Sequence, residues 1–241
     1  MSLSRSVLAA ALAFALLPAA AHAAQDVEKV MGSITAHAGT SYGDLETVNG
    51  SIHVEAKAVA GDATTVNGSV ELEAGAKVGD VQTVNGGIKA DVDAVAGSLE
   101  TVNGGIRIEG RNRVSSIETV NGSIFTGRGS DVAHGVQTVN GAIGLVDTDV
   151  GGSVETVNGN VTIGIDSHVR GGLTIEKPRQ NGMGLSFKPR VPRVVIGPGA
   201  VVDGPLVFKR EVKLYVHKTA RTGAITGATA IPFEGPTAPG D

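Results

Sequence analysis

The sequence predicts an all-β fold: a parallel β-helix, or β-solenoid, with three-sided coils of about 18 residues. Right-handed winding is the favoured sense. Three observations predict this class. First, the tetrapeptide Thr-Val-Asn-Gly occurs seven times, with asparagines at Asn49, Asn67, Asn85, Asn103, Asn121, Asn140 and Asn158, at intervals of 18, 18, 18, 18, 19 and 18 residues. Second, apolar residues recur in columns at that same period. Third, the composition suits a thin core: 35 glycines in 241 residues, 3% aromatics and no tryptophan. Glycine shows no Gly-X-Y period, which excludes collagen.

The columns give each repeat position a physical role. Four residues before the asparagine stand Leu45, Ala63, Val81, Leu99, Ile117, Val136 and Val154. Three residues after it stand Ile52, Val70, Ile88, Ile106, Ile124, Ile143 and Val161, and two further on another mostly apolar column begins at Val54. The residue between varies from His53 through Glu71 and Lys89 to Phe125. Apolar, variable, apolar is the period-two pattern of a strand with one buried face. A weaker third column contains Ala60, Val78, Ala96, Val114 and Val132. One such unit cannot bury its apolar face alone, so units stack at about 4.8 Å into parallel sheets. Asn-Gly also begins hairpins, but hairpin turns recur every 8–12 residues with like flanks. One Asn-Gly per coil with unlike flanks reads as a corner, where asparagine adopts a left-handed backbone and the stacked amides form a ladder.

The remaining segments follow from composition. Residues 1–23 read as a secretory signal: Arg5, the apolar run Val7 to Leu17, then Ala21-His22-Ala23. That run is shorter than the ~20 residues of a membrane span, so no transmembrane segment is expected in the mature chain. Residues 24–44 form a capping coil in which Met31 takes the asparagine position, and 45–176 form the seven-coil repeat. Residues 177–193 form a basic loop with three prolines, carrying Lys177, Arg179, Lys188, Arg190 and Arg193, a candidate arm for an anionic partner. Residues 194–230 read as further coils of irregular spacing, and 231–241 as a disordered Pro/Gly-rich tail.

The Thr-Val-Asn-Gly-(Ser/Gly/Ala/Asn)-(Ile/Val) repeats resemble exported bacterial β-solenoid domains of the adhesin type. The stretch from Ile196 to Gly227, with Gly-Ala-Val-Val-Asp-Gly and Gly-Ala-Ile-Thr-Gly, resembles the polymer-forming β-helix of bactofilins. These resemblances imply a self-associating or surface-binding solenoid without catalytic chemistry.

Residue chemistry points the same way. The mature histidines, His37, His53, His134, His168 and His217, are scattered without metal-ligand spacing, so neither a metal nor any other cofactor is expected. Phosphate-binding loops and nucleophile elbows are absent from the sequence. Asp44, Asp62 and Asp80 form a short column that reads as turn aspartates. Glu46, Glu100, Glu118 and Glu155 share a column with Thr64, Gln82 and Gln137. Paired carboxylates cleave polysaccharides, which makes a polysaccharide-binding or -cleaving β-helix the alternative. The rank from Thr47 to Thr156 raises a second alternative, an ice- or crystal-binding face. Loss of Arg5 with the signal leaves 19 basic against 24 acidic side chains, an imbalance opposite to that of nucleic-acid binders. The expected partners are copies of the chain itself or an envelope or extracellular surface.

Overall fold

A computed structural model describes residues 25–178 and 190–240. The chain forms a β-solenoid of about 11 turns, with no helix among the described residues. Each coil contributes up to three short strands, and every strand pairs in parallel with its counterpart one coil away.

The first face, called here the Asn face, is built from strands such as Leu45–Asn49, Ala63–Asn67 and Val81–Asn85. The second holds Ile52–Val54, Val70–Leu72 and their equivalents, eleven strands in all. The third begins as isolated bridges at Ser41, Val59 and Lys77 and continues through strands such as Ser130–Val132 and Thr148–Val150. In Val95–Asn103 and Arg113–Asn121 the third strand runs without a break into the Asn strand. These two long strands join the first and third faces into one sixteen-stranded sheet.

Register follows the repeat. Asn49 stacks on Asn67, and Leu45 on Ala63. The apolar columns point inward: Leu45, Ile52, Leu99, Ile106 and Ile108 are all at most 1% exposed. Each coil thus lays a layer of branched side chains on the next, and removing that area from water drives the stacking.

The extra residue between Asn121 and Asn140 lies at positions 133–135. Val132 keeps the 18-residue offset from Val114, whereas Val136 is already 19 from Ile117. Residues 176–192 enter between the Asn-face strand Leu173–Ile175 and the second-face strand Arg193–Ile196, so the basic segment is an insertion at the Asn-Gly corner. The stack continues past it, with Ile163 pairing with Ile196. Later coils keep the same sheets at uneven spacing, since Val194 pairs with Leu214 and Leu206 with Ile225.

Three expectations need correction. The Asn-Gly corner is not left-handed. Positive φ occurs instead eight residues after the asparagine, at Lys57 (59°), Gly75 (72°), Asp93 (62°) and Arg111 (54°). The corner glycine is required for closeness: a Cβ on Gly104 would collide with the Gly86 carbonyl oxygen of the coil before. The expected disordered tail is also ordered within residues 231–240. Ala230–Phe233 is the last strand of the second sheet, and Ala238 packs with Val195, Phe233 and Tyr215. A Pro/Gly-rich composition does not prevent order when an apolar patch and a donor lie within reach. Here the Arg193 guanidinium donates to the Ala238 and Pro239 carbonyls, at 3.1 Å each. The third correction concerns the threonine rank, described below. The expected signal segment, residues 1–23, lies outside the described residues.

Candidate functional site

The surface that distinguishes this molecule is the outer side of the Asn face. Its strands alternate over their first four residues and end on an exposed asparagine. In Leu45–Asn49 the leucine and threonine are buried, while Glu46, Val48 and Asn49 are exposed. Repeated through the stack, this pattern gives three outward columns: Glu, Thr or Gln; valine; asparagine.

The asparagines form a continuous amide ladder. Asn67 Nδ2 donates to Asn49 Oδ1 at 3.0 Å, and the bond recurs from Asn85, Asn103, Asn121, Asn140 and Asn158 at 2.9–3.0 Å. All these amide dipoles point the same way. The last acceptor, Asn158 Oδ1, receives the Arg210 guanidinium at 2.8 Å, which sets a positive charge at the oxygen end of the ladder. Arg210 also donates to the carbonyls of Val157 and Arg190.

The threonine rank faces the interior. Thr47, Thr65, Thr83, Thr101, Thr119, Thr138 and Thr156 are at most 4% exposed. Their hydroxyls donate inside the solenoid, as Thr101 Oγ1 does to Gly86 O at 2.8 Å and Thr65 Oγ1 to Gly50 O at 2.8 Å. Threonine two residues after a buried leucine must share its side of the strand. Buried hydroxyls cannot meet a crystal surface, so the ice-binding alternative loses its motif.

The exposed valines from Val48 to Val139 are each 38–41% exposed, six at a nearly constant level. From Val66 onward, with the neighbouring glutamates and glutamines, they line an open groove of about 430 Å³ that ends at Glu176. Glu100 and Glu118 stack in register, and neither forms an ion pair among the described residues. The second face differs. There Lys89 lies between Glu71 (2.9 Å) and Asp91 (3.1 Å), which hold its ammonium pKa above the ordinary value, and Arg107 meets Glu109 at 2.8 Å. At the left-handed corner Arg111 bonds both oxygens of Asp93, and this bond keeps the Asp93 carboxyl below the usual carboxylate range.

The aspartates are structural: Asp44 Oδ1 accepts the Asp62 N–H at 2.9 Å, and Asp62 Oδ1 that of Asp80 at 2.8 Å. The histidines stay apart. His53 contacts Glu73 (2.9 Å), His168 contacts Asp203 (2.7 Å), and the buried His217 contacts Thr219 and Phe233. Among the described residues no group of three or more His, Cys, Asp or Glu is placed to hold a metal. Nor is any helix long and apolar enough to cross a membrane.

Arg179 and Lys188 lie outside the described residues. Lys177 is exposed, the Arg190 carbonyl is taken by Arg210, and Arg193 belongs to a strand. Arg193 sits over the Tyr215 ring at 5.1 Å while it holds the tail, so it is a clamp within the fold and not a free arm. No protein-family profile, curated protein or solved structure matches this chain. The likeness to adhesin-type solenoids therefore rests on the Thr-Val-Asn-Gly repeats alone, and that to bactofilins on the stretch from Ile196 to Gly227; what is established is the β-solenoid.

Proposed function

We propose that this chain is a non-catalytic, exported structural β-solenoid that self-associates in the cell envelope through its Asn face. One observation carries the reading: a row of six evenly exposed valines, Val48 to Val139, is flanked by an unbroken amide ladder and by carboxylates without ion pairs. Isolated surface valines need no explanation, but a contiguous apolar strip with a polar rim marks an interaction surface. Export is supported by the Arg5, Val7–Leu17 and Ala21–Ala23 signature. Light scattering across a concentration series, on protein starting at Ala24, tests self-association. Reversible, concentration-dependent growth is expected, and a monomer at every accessible concentration refutes the reading. Polysaccharide binding is the second reading, favoured by the groove and its Glu100 and Glu118 carboxylates. Soluble glycans that protect the protein against thermal unfolding would favour it.

A further inference from the structure

The outward columns of the Asn face form a self-complementary pattern. Each ladder asparagine spends one amide hydrogen along the axis, and a carboxamide has two. The second N–H is left as a donor at each rung. On the far side of the valines, every member of the column from Glu46 to Glu155 is Glu, Thr or Gln, and all three accept hydrogen bonds. One edge of the face therefore offers a donor at each coil, the other an acceptor, with valine between.

We infer that the occupant of this face is a second copy of the chain, related by a two-fold axis parallel to the solenoid axis, both stacks running in the same direction. This inference rests on the self-association reading above. A two-fold along the axis sets valine row on valine row and places the acceptor column of each copy opposite the amide ladder of the other. The rungs match because both copies share one coil spacing. Identical apolar rows that meet beside amide ladders resemble the packing of a dry sheet-to-sheet zipper. The other face-to-face arrangement, with stacks opposed, sets the glutamate column on the glutamate column. Glu100 and Glu118 would then meet like charges, which works against it.

The size of the face sets the expected strength. Five-residue strands span about 17 Å, and seven rungs span about 30 Å. Each copy thus covers roughly 500 Å², about 1,000 Å² in total, near the lower limit for a specific interface. The dimer is accordingly weak and dissociates on dilution.

The chain has no cysteine, so single cysteines report the geometry directly. Val48→Cys, Val102→Cys and Val139→Cys, each in the full mature chain, are treated with a short bis-maleimide, with Lys89→Cys on the second face as control. In the parallel arrangement each row position faces its own counterpart, so all three valine variants cross-link and the control does not. In the opposed arrangement only the central Val102→Cys does. Val84→Lys combined with Val120→Lys is expected to weaken association at least ten-fold while leaving the melting temperature within a few degrees, since both valines are exposed. Association with cross-linking at Val102→Cys alone, or at none of the three, overturns this arrangement and leaves self-association standing. A chain that never associates overturns both.

Discussion

The threonine rank offers the sharpest test of how the solenoid is held together. Thr101 is 4% exposed and donates its hydroxyl to the Gly86 carbonyl at 2.8 Å. Thr156 occupies the same column at 1% exposure, yet its hydroxyl has no partner. Thr101→Val keeps the branched shape and removes the donor. Leaving a buried acceptor unsatisfied costs about 1–3 kcal/mol, and the added methyl returns part of it, so a net loss of about 1–2 kcal/mol is expected. Thr156→Val breaks no bond and relieves a buried, unsatisfied hydroxyl, so it is expected to be neutral or stabilising by up to about 1 kcal/mol. Urea unfolding followed by far-ultraviolet circular dichroism reads the difference. With a slope of roughly 2 kcal/mol per molar, Thr101→Val lowers the midpoint by about 0.5–1 M at constant slope. Equal midpoint shifts for the two variants would refute the bond as the reason for threonine at this position.

Three further outcomes follow from the geometry. Asn103 is exposed and its ladder bonds compete with water, so Asn103→Ala should cost about 1 kcal/mol or less; Asn103→Val should be no worse, because the residue lies in an ordinary strand, and a much larger loss in a thermal melt would contradict this. Lys57→Gly, at φ 59°, should raise stability by up to about 1 kcal/mol, whereas Gly104→Ala, which drives a methyl into the Gly86 carbonyl, should lower it sharply; the two melting temperatures need only be compared. The Glu55 carboxyl is held below its usual range, first by the Ala38 N–H, and Asp93 by Arg111, so each stabilises the ionised form and its contribution fades as pH falls through those lowered values. Asp93→Asn should flatten the acid side of the stability profile, and an unchanged acid slope would count against that pair.

Much of this architecture was legible because a solenoid writes its register into the sequence. Asn-to-Asn intervals of 18 residues, broken by a single 19, predicted the in-register stack, and the apolar columns at Leu45, Ile52 and Val54 gave the buried side of two faces. The left-handed corner was hidden, since Lys57, Gly75, Asp93 and Arg111 share a conformation and no side-chain chemistry. Asn-Gly drew attention there for the wrong reason: its glycine answers the approach of the neighbouring coil. The threonines misled through polarity alone, although their position two residues from Leu45 already fixed them inside. Only three-dimensional adjacency could show the role of Arg210, 52 residues from the ladder it closes.

The two ends of the stack explain why the lateral face matters on the proposed reading. A parallel solenoid leaves an unpaired strand edge at each end, and such edges recruit further strands. In inner coils the carbonyl at the Ser33 position accepts an N–H from the coil before it, as Ser51 O does from Ile34. At Ser33 that coil is missing among the described residues, and the Lys29 ammonium takes its place at 2.7 Å. Lys29 stands where later coils carry threonine, so a single replacement turns an inner rung into a terminator. At the other end Pro232 removes a backbone donor from the last strand, and the tail folds back under the Arg193 clamp. Each end thus carries a blunting device from the chain's own residues, while the six valines from Val48 to Val139 lie exposed between them. On the proposed reading these devices disfavour growth by adding coils end to end and leave the lateral Asn face for association.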